Sequence, residues 1–180
     1  MSRNVPSTEV RVLHEGEFLR LLRHAHWEYA QRRRSTGAGF IVALTDAQEL
    51  LLVEQYRLPL QRQVIELPAG IIADSAATAD ESAEASALRE LEEETGYRGS
   101  RTQVLCSGPV AAGMTDEIGH FTRVFDLVRV GDGGGVDGEN IRVHRVALQD
   151  VERWLGEQAA TRELMVDPRI YIALYFLRRP

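Results

Sequence analysis

The sequence is poor in cysteine, in long apolar runs and in net positive charge. Cys106 is the only cysteine of the 180 residues, so the chain has no disulfide framework and no site where several thiolates bind zinc. No apolar run reaches membrane-spanning length, and the first ten residues lack the apolar segment of a signal peptide. The net charge of −6 argues against general binding to nucleic acid or to anionic membranes. We therefore expect a cytoplasmic protein that binds neither.

Several common catalytic motifs are also missing. The sequence contains no Walker phosphate loop, no G-x-S-x-G nucleophile motif and no G-x-G-x-x-G dinucleotide fingerprint. Kinase, serine hydrolase and dehydrogenase activities therefore have no support. No internal repeat or long linker is evident, and a chain of this length is large enough for one domain with a hydrophobic core.

The first half of the chain alternates polar and apolar residues at the spacing of β-strands. The first 36 residues predict two or three antiparallel strands. The apolar runs 39–46 and 49–59 predict a hairpin, because the turn-forming segment TDAQ connects them. The run 63–70 predicts another strand, stopped by Pro68 and Gly70.

Helices are predicted mainly in the second half. An acidic helix is expected over residues 81–95, with Gly96 as its C-cap, and amphipathic patterns predict further helices at 149–158 and 167–179. The glycine-rich segment 131–140 is expected to be the most flexible part of the chain. Because strands outnumber helices and the helices come late, we expect a mixed sheet covered by helices.

The acidic segment RELEEETGY, from Arg89 to Tyr97, carries four glutamates within five residues. In a helix Glu90 and Glu94 are i,i+4 neighbours and Glu93 lies within the same arc, where Arg89 can hold it. Carboxylates beside a buried face are unfavourable unless a cation joins them, and oxygen ligands at this density suit Mg²⁺ or Mn²⁺ rather than zinc. A solvated acidic face is the ordinary alternative, and the run alone favours that alternative.

The surroundings of the run resemble the signature of the Nudix hydrolases, G-x5-E-x7-R-E-U-x-E-E-x-G-U, where U is a bulky apolar residue. Glu81 and the segment 89–97 fit the second part of this signature throughout, with Tyr97 at the last apolar position. If Gly70 is the first glycine, ten residues separate it from Glu81 instead of five. Either this stretch contains an insertion, which we favour, or Ser75 takes the place of the glycine.

The rest of the chain is similar to one branch of that family, the ADP-ribose and nucleoside-diphosphate-sugar pyrophosphatases. The likeness runs through VEQYRLPL, VIELPAG, GMTDEIGHFTRVF and GENIRVHRV. It implies the α/β class with the Nudix-type α/β/α sandwich, a mixed β-sheet and additional N-terminal antiparallel strands. Residues 1–36 would form these strands and a homodimer contact, and residues 37–180 would form the Nudix hydrolase domain.

The resemblance implies Mg²⁺-dependent hydrolysis of the pyrophosphate bond of ADP-ribose or a related nucleoside-diphosphate sugar, with Mn²⁺ as the other metal. The products would be a nucleoside monophosphate and a sugar phosphate. One alternative within this class is a GDP-mannose or broader nucleoside-diphosphate-sugar pyrophosphatase. Another is a nucleotide-sugar sensor without turnover, and such a sensor would not need Glu94 whereas a hydrolase would.

The same resemblance assigns the catalytic residues. The implied metal ligands are the backbone carbonyl of Ala69 and the side chains of Glu90, Glu93 and Glu94. Glu93 is also expected to take part in the chemistry. In this branch the general base is a glutamate on a mobile loop, which Glu139 matches, with Asp137 and Glu117 as alternatives.

Five residues are expected to contact the substrate. Arg57 would bind phosphate or sugar oxygens through its planar guanidinium, although an ordinary surface arginine fits the pattern nearly as well. Glu66 would accept a hydrogen bond from a ribose hydroxyl or pair with a neighbouring arginine. Trp27 would stack on the base, or else serve as a core or dimer contact. Met114 and Glu117 belong to a segment similar to a substrate-contacting loop of the family, which would look much the same as a plain turn.

Overall fold

Sixteen helices and strands are present in the computed structural model, which describes residues 9–35, 37–73, 75, 77–136 and 138–179. In chain order they are β1 (Val10–Glu15), β2 (Leu19–His24), β3 (Trp27–Arg32), β4 (Gly37–Ala43), β5 (Glu49–Arg57), β6 (Arg62–Glu66), β7 (Ala69–Ile72), α1 (Ala83–Thr95), β8 (Tyr97–Arg98), β9 (Arg101–Pro109), β10 (Ile118–Phe125), β11 (Val128–Arg129), β12 (Arg142–Ala147), α2 (Val151–Thr161), β13 (Leu164–Val166) and α3 (Arg169–Leu177). No helix among these described residues is both long and apolar enough to cross a membrane.

The strands form one N-terminal sheet and two central mixed sheets. The N-terminal sheet has the antiparallel order β1-β2-β3, as predicted. One central sheet has the order β7-β4-β10-β9 and the other the order β12-β5-β6-β13. Each central sheet contains one parallel pair, β4 with β10 and β6 with β13, among antiparallel neighbours. The short strands β8 and β11 pair separately.

The central strands carry helices on both faces, because successive side chains of a strand point to opposite sides. Ile41 of β4 and Leu51 of β5 pack with Leu91 of α1 in one apolar cluster. Their neighbours Val42 and Leu52 pack on the other side, in a larger cluster to which α2 and α3 contribute. This arrangement of layers confirms the predicted α/β/α sandwich with mixed sheets.

The hairpin predicted for the apolar runs 39–46 and 49–59 is correct only at its turn. The Thr45 N–H donates to the Glu49 carbonyl at 2.9 Å, and Leu44 forms an isolated bridge with Leu50. Beyond this turn β4 and β5 separate into different sheets. The seven residues of β4 are all buried, so the strand has no polar face, and its pattern cannot identify its neighbours.

Helix α1 ends where the sequence predicts and begins two residues later. Ser82 is the N-cap, and its hydroxyl accepts a hydrogen bond from the Ala85 N–H at 3.2 Å. Gly96 follows the last turn with a positive φ of 72°, the left-handed conformation of a C-cap glycine. The predicted start at Glu81 is therefore two residues too early. Ser82 is the cap, and Glu81 lies before it.

Candidate active site

A cavity of about 480 Å³ lies where α1 and β7 meet the ends of β5 and β6. Carboxylates and arginines of several elements line it. The cavity brings together seven of the residues predicted from the sequence: Arg57, Glu66, Ala69, Glu90, Glu94, Glu117 and Glu139. These residues come from several separate elements between positions 57 and 139, so the fold has gathered them into one place.

Glu94 is a buried acid of this cavity, and its surroundings offset its negative charge only in part. Its side chain accepts one hydrogen bond, from the Ala69 N–H at 3.1 Å. Burial raises the pKa of Glu94 to about 8, because the hydrogen bond from Ala69 only partly opposes it and the negative charges of Glu90 and Glu139 add to it. A buried carboxylate that faces two more carboxylates is unfavourable unless a cation joins them.

Gly70 allows β7 to lie directly against α1. A Cβ atom at this position would come within 2.1 Å of the Glu90 carboxyl group, so a larger residue would displace that side chain. The prediction that Gly70 stops a strand is wrong, because Gly70 pairs with Gly39 inside β7. Ser75 is exposed and hydrogen-bonded to Thr78, so the residue that lies against the acidic helix is Gly70.

Arg89 joins three carboxylates on and next to α1. It donates two hydrogen bonds of 3.0 Å to Glu81, one of 2.9 Å to Glu90 and one of 3.1 Å to Glu93. The hydrogen bond to Glu81 is the main cause of the raised pKa of Arg89. The expected contact of Arg89 with Glu93 is present. The side chain of Glu93 lies outside the cavity lining among the described residues, and its metal-binding and catalytic roles stay predictions.

The glycine-rich segment before Glu139 is attached to the C-terminal end of α1. The Gly134 N–H donates to the Glu94 carbonyl at 2.8 Å, and the Gly135 N–H donates to the Glu93 carbonyl at 3.1 Å. The last carbonyls of a helix have no partner within the helix, and these bonds satisfy two of them. The segment predicted to be the most flexible is thus anchored to the helix that carries the acidic residues.

The tip of this segment brings Glu139 to the cavity. Gly133 has a positive φ of 69°, and a Cβ atom there would lie 2.4 Å from the backbone of Thr95, so the close approach requires glycine. Glu139 itself accepts a hydrogen bond from the Val136 N–H at 3.2 Å and lines the cavity. Asp137, the alternative base, lies outside the described residues.

Two further carboxylates meet at the cavity because β6 and β13 run parallel and end at the same edge. Glu66 ends β6, and Asp167 follows β13, where its N–H donates to the Ile65 carbonyl at 2.9 Å. Glu66 binds Arg57 through two hydrogen bonds of 2.7 and 3.0 Å. Asp167 binds Arg169 in the same manner, with Nε–oxygen distances of 2.9 and 2.8 Å. Sequence reasoning missed Asp167 and Arg169, because a strand of three residues leaves no pattern to recognise.

The other predicted substrate contacts lie near the N-terminal sheet. Glu117 forms an ion pair with Arg32, and both line the cavity. The Trp27 indole donates to the Gly113 carbonyl at 3.3 Å, and Met114 is exposed. Neither Trp27 nor Met114 belongs to the described lining of the cavity in a single chain, so their substrate contacts stay predictions.

The chemistry of the acidic residues fits a divalent cation. Glu90, Glu94 and Glu139 offer hard carboxylate oxygens, the ligands that Mg²⁺ and Mn²⁺ prefer. Among the described residues no group of three or more His, Cys, Asp or Glu side chains already forms a metal-binding cluster. The assignment of a divalent cation to this cavity therefore depends on the unbalanced negative charge around Glu94 and on the carboxylate oxygens as ligand atoms.

Comparison with known proteins gives a consistent result. A family model, the NUDIX domain, matches residues 35–170. A methanol dehydrogenase activator of Bacillus methanolicus is 31% identical over 146 residues, which cover 81% of this chain and 74% of the relative. An ADP-ribose pyrophosphatase of Bacillus subtilis (strain 168) is 35% identical over 115 residues, which cover 63% of this chain and 60% of the relative.

The fold has a close counterpart among solved structures. A crystal structure of an ADP compounds hydrolase superposes with a TM-score of 0.68 and covers 99% of this chain and 95% of its own, at 20% sequence identity. Nudix hydrolases are generally dependent on a divalent metal, which agrees with the acidic cavity. Because the family model spans most of its length, the chain belongs to the NUDIX domain family.

Proposed function

We propose that this chain is a Nudix hydrolase that cleaves the pyrophosphate bond of ADP-ribose or a related ADP-sugar with the help of Mg²⁺. The observation that carries the proposal is the cavity in which Glu90, Glu94 and Glu139 converge beside Arg57. The relative named ADP-ribose pyrophosphatase supports this choice of substrate. The present chain spans 60% of that relative, so the substrate is part of the proposal.

The acidic side of the cavity holds the metal in this proposal. Glu90 and Glu94 are its side-chain ligands, and the hydrogen bond from the Ala69 N–H keeps the carboxylate of Glu94 in one orientation. The Ala69 carbonyl and Glu93 complete the proposed ligand set. A bound divalent metal would offset the charge of the diphosphate and lower the pKa of a water molecule.

Glu139 acts as the general base. The water oxygen forms a bond to one phosphorus, and the bond from that phosphorus to the bridging oxygen breaks. The water proton passes to the Glu139 carboxylate, which has a single hydrogen bond from Val136 among the described residues. Arg57 binds the phosphate oxygens, and the bidentate contact with Glu66 holds its guanidinium in place.

The proposal includes a homodimer that uses the N-terminal sheet. Several large apolar side chains of this sheet and its neighbouring loop are exposed in the single chain: Val12, Phe18, Leu21, Trp27 and Met114. A second copy that covers them would also bring Trp27 and Met114 towards a substrate. Sedimentation velocity of the purified chain tests this part, and a monomer at micromolar concentration would contradict it.

The central experiment is a substrate panel. The purified chain is incubated with Mg²⁺ and ADP-ribose, ADP-glucose, GDP-mannose or FAD, and the release of nucleoside monophosphate is followed by chromatography. We expect AMP from ADP-ribose and no release once a chelator removes the metal. Release from GDP-mannose alone would favour the broader nucleoside-diphosphate-sugar pyrophosphatase, and binding of ADP-ribose without any release would favour the sensor.

A further inference from the structure

Arginine supplies all the permanently charged basic side chains of this protein. The sequence contains 21 arginines, no lysine and five histidines, and every basic side chain in the described lining of the cavity is a guanidinium. Three arginines line the cavity, Arg32, Arg57 and Arg169. The proposed chemistry uses Arg57, whereas Arg169 at the start of α3 has no role in it.

Arg169 and Arg57 are held in the same way. Each donates through Nε and Nη2 to a buried carboxylate, Arg57 to Glu66 and Arg169 to Asp167. The two acids are 5% and 7% exposed. Among the described residues none accepts a hydrogen bond from Nη1 of either arginine, so each guanidinium has one terminal nitrogen available to a ligand in the cavity.

Phe40 fixes the orientation of Arg169 further. The guanidinium carbon lies 4.3 Å from the centroid of the Phe40 ring, within the range of a cation–π contact. Phe40 is buried and also lines the cavity. With one face on an aromatic ring and one edge on a carboxylate, Arg169 has little freedom to lose when a ligand binds.

A third pair of an arginine with a buried carboxylate, Arg162 with Glu54, has a different hydrogen-bond geometry. Arg162, at the end of α2, binds the buried Glu54 through both terminal nitrogens, and its Nη1 also donates to Gln158 at 3.1 Å. This pair lies outside the cavity lining among the described residues. Of the three arginines paired with the buried carboxylates Glu54, Glu66 and Asp167, the two at the cavity leave Nη1 without an acceptor among the described residues. The surface pair Arg98–Glu92 also leaves Nη1 unused, but Arg98 is exposed to solvent, whereas Arg57 and Arg169 line a cavity that a ligand can enter.

We propose that Arg169 is a substrate-binding residue that donates Nη1 to a phosphate oxygen, and that Asp167 is its positioning residue. The identity of the substrate rests on the proposed function. A diphosphate brings two negative charges to a cavity that already contains Glu90, Glu94 and Glu139, so a second guanidinium in the same lining offsets charge that Arg57 alone leaves.

The experiment compares Arg169→Gln with Arg162→Gln, a matched control in which an arginine also leaves a buried carboxylate. The side chains of Arg169 and Arg162 are 34% and 35% exposed. ADP binding in the presence of Mg²⁺ is measured by calorimetry, and KM and kcat are measured for ADP-ribose. A charged hydrogen bond contributes about 1.5–3 kcal/mol, which predicts that Arg169→Gln weakens ADP binding and raises KM by about 10-fold to 100-fold.

The control variant and wild type should agree in ADP affinity and in KM to within about threefold, which is less than 1 kcal/mol. For Arg169→Gln we expect kcat to change far less than KM. Asp167→Asn should reproduce part of the loss, because it keeps the shape but weakens the hold on Arg169. Arg169→Lys should recover only part of the affinity, since an ammonium lacks the planar fork.

Equal effects of the two glutamine variants on ADP affinity would overturn the inference, as would a fall in kcat with unchanged ADP affinity and KM. Failure of the wild type to bind ADP would also overturn it. Failure to hydrolyse ADP-ribose while ADP still binds would sink the proposed function instead, because the calorimetric comparison requires no turnover.

Discussion

Glu54 and Glu94 are two glutamates with the same solvent exposure, 4% each, in opposite surroundings. Glu54 accepts a hydrogen bond of 2.9 Å from Arg162 and lies 2.9 Å from the His144 Nε2 atom. The hydrogen bonds from Arg162 are the main reason that the pKa of Glu54 lies below its usual value. Burial and the nearby acids raise the pKa of Glu94 to about 8, although the hydrogen bond from the Ala69 N–H, its one hydrogen-bond donor among the described residues, partly opposes the rise.

The difference separates a structural carboxylate from a functional one. The counter-charge of Glu54 is Arg162 of the same chain, and this ion pair connects β5 to the end of α2. Glu94 forms no ion pair with any described residue, and the more distant charge of Arg57 offsets its carboxylate only in part, so a proton or a bound cation is needed to balance it. Solvent exposure does not distinguish the two acids; the stronger desolvation and the acidic neighbours of Glu94 do, against the arginine and histidine partners of Glu54.

The largest expected effect comes from Glu94→Gln. Loss of a metal ligand removes several kcal/mol of transition-state stabilisation, so we expect the rate of AMP release to fall about a thousandfold. Glu54→Gln should keep the rate within about threefold of wild type, since Glu54 lies outside the cavity. Initial rates with ADP-ribose and Mg²⁺ test this, with circular dichroism as the check on folding. Equal losses in both variants would contradict the assignment.

The next effect concerns the base. Glu139→Gln should lower kcat about a hundredfold, because general base catalysis contributes on that order. Binding of Mg²⁺, measured by calorimetry, should stay close to wild type. Glu157→Gln on the exposed side of α2 is a suitable control. A nearly normal rate for Glu139→Gln would assign the base to Glu117 or Asp137.

The structural role of Glu54 should be measurable in the free energy of unfolding. Arg162→Gln removes the main counter-charge of the buried Glu54, so we expect the free energy of unfolding to fall. Urea denaturation at pH 7 measures this. An unchanged midpoint and slope would mean that the pair does not stabilise the fold.

The smallest effect is a pH dependence of the metal-free protein. The folded-state pKa of Glu94, about 8, lies above the ordinary value of 4.5, so the folded state holds this proton more tightly than the unfolded state. The stabilisation is complete below pH 4.5 and is lost as pH rises to about 8, with a slope of up to about 1 kcal/mol per pH unit.

Denaturation with a chelator present at several pH values measures this slope. Glu94→Gln should lack this component of it, and added Mg²⁺ should restore stability at pH 8. The carboxylate of Glu54 has the opposite sign, because its lowered pKa stabilises the folded state above pH 4.5 and loses that effect as pH falls. A wild-type slope equal to that of Glu94→Gln would show that the pKa of Glu94 is not raised in the folded protein.

The acidic helix could be predicted from the sequence because its signals are local. The spacing of Glu90, Glu93 and Glu94, the final Gly96 and the i,i+4 position of Arg89 all lie within a few residues, and the structure contains the predicted helix end and the predicted contact. The Nudix family, recognised from the spacing of the same residues, is confirmed by the family model, and the fold that this resemblance implies is confirmed by the structure. The homodimer, the compartment and the choice of metal stay predictions.

Other parts of the site were hidden from sequence reasoning because they depend on distant strands. Asp167 follows a three-residue strand, and only the parallel pairing of β13 with β6 places it beside Glu66. Likewise, the glycines before Glu139 read as a flexible loop, whereas Gly134 is bonded to the end of α1. A local pattern contains no information about which strand lies next to which.

By itself the sequence determined the N-terminal strands, the acidic helix and the family, since propensity, capping and motif spacing act over a few residues. Tertiary structure alone decided which acids would be left without a counter-charge. Glu54 and Glu94 are the same residue type with the same solvent exposure, and the fold brings Arg162 to the first, but stronger desolvation and more carboxylates to the second. Electrostatic energy depends on distance in space, and the fold sets that distance.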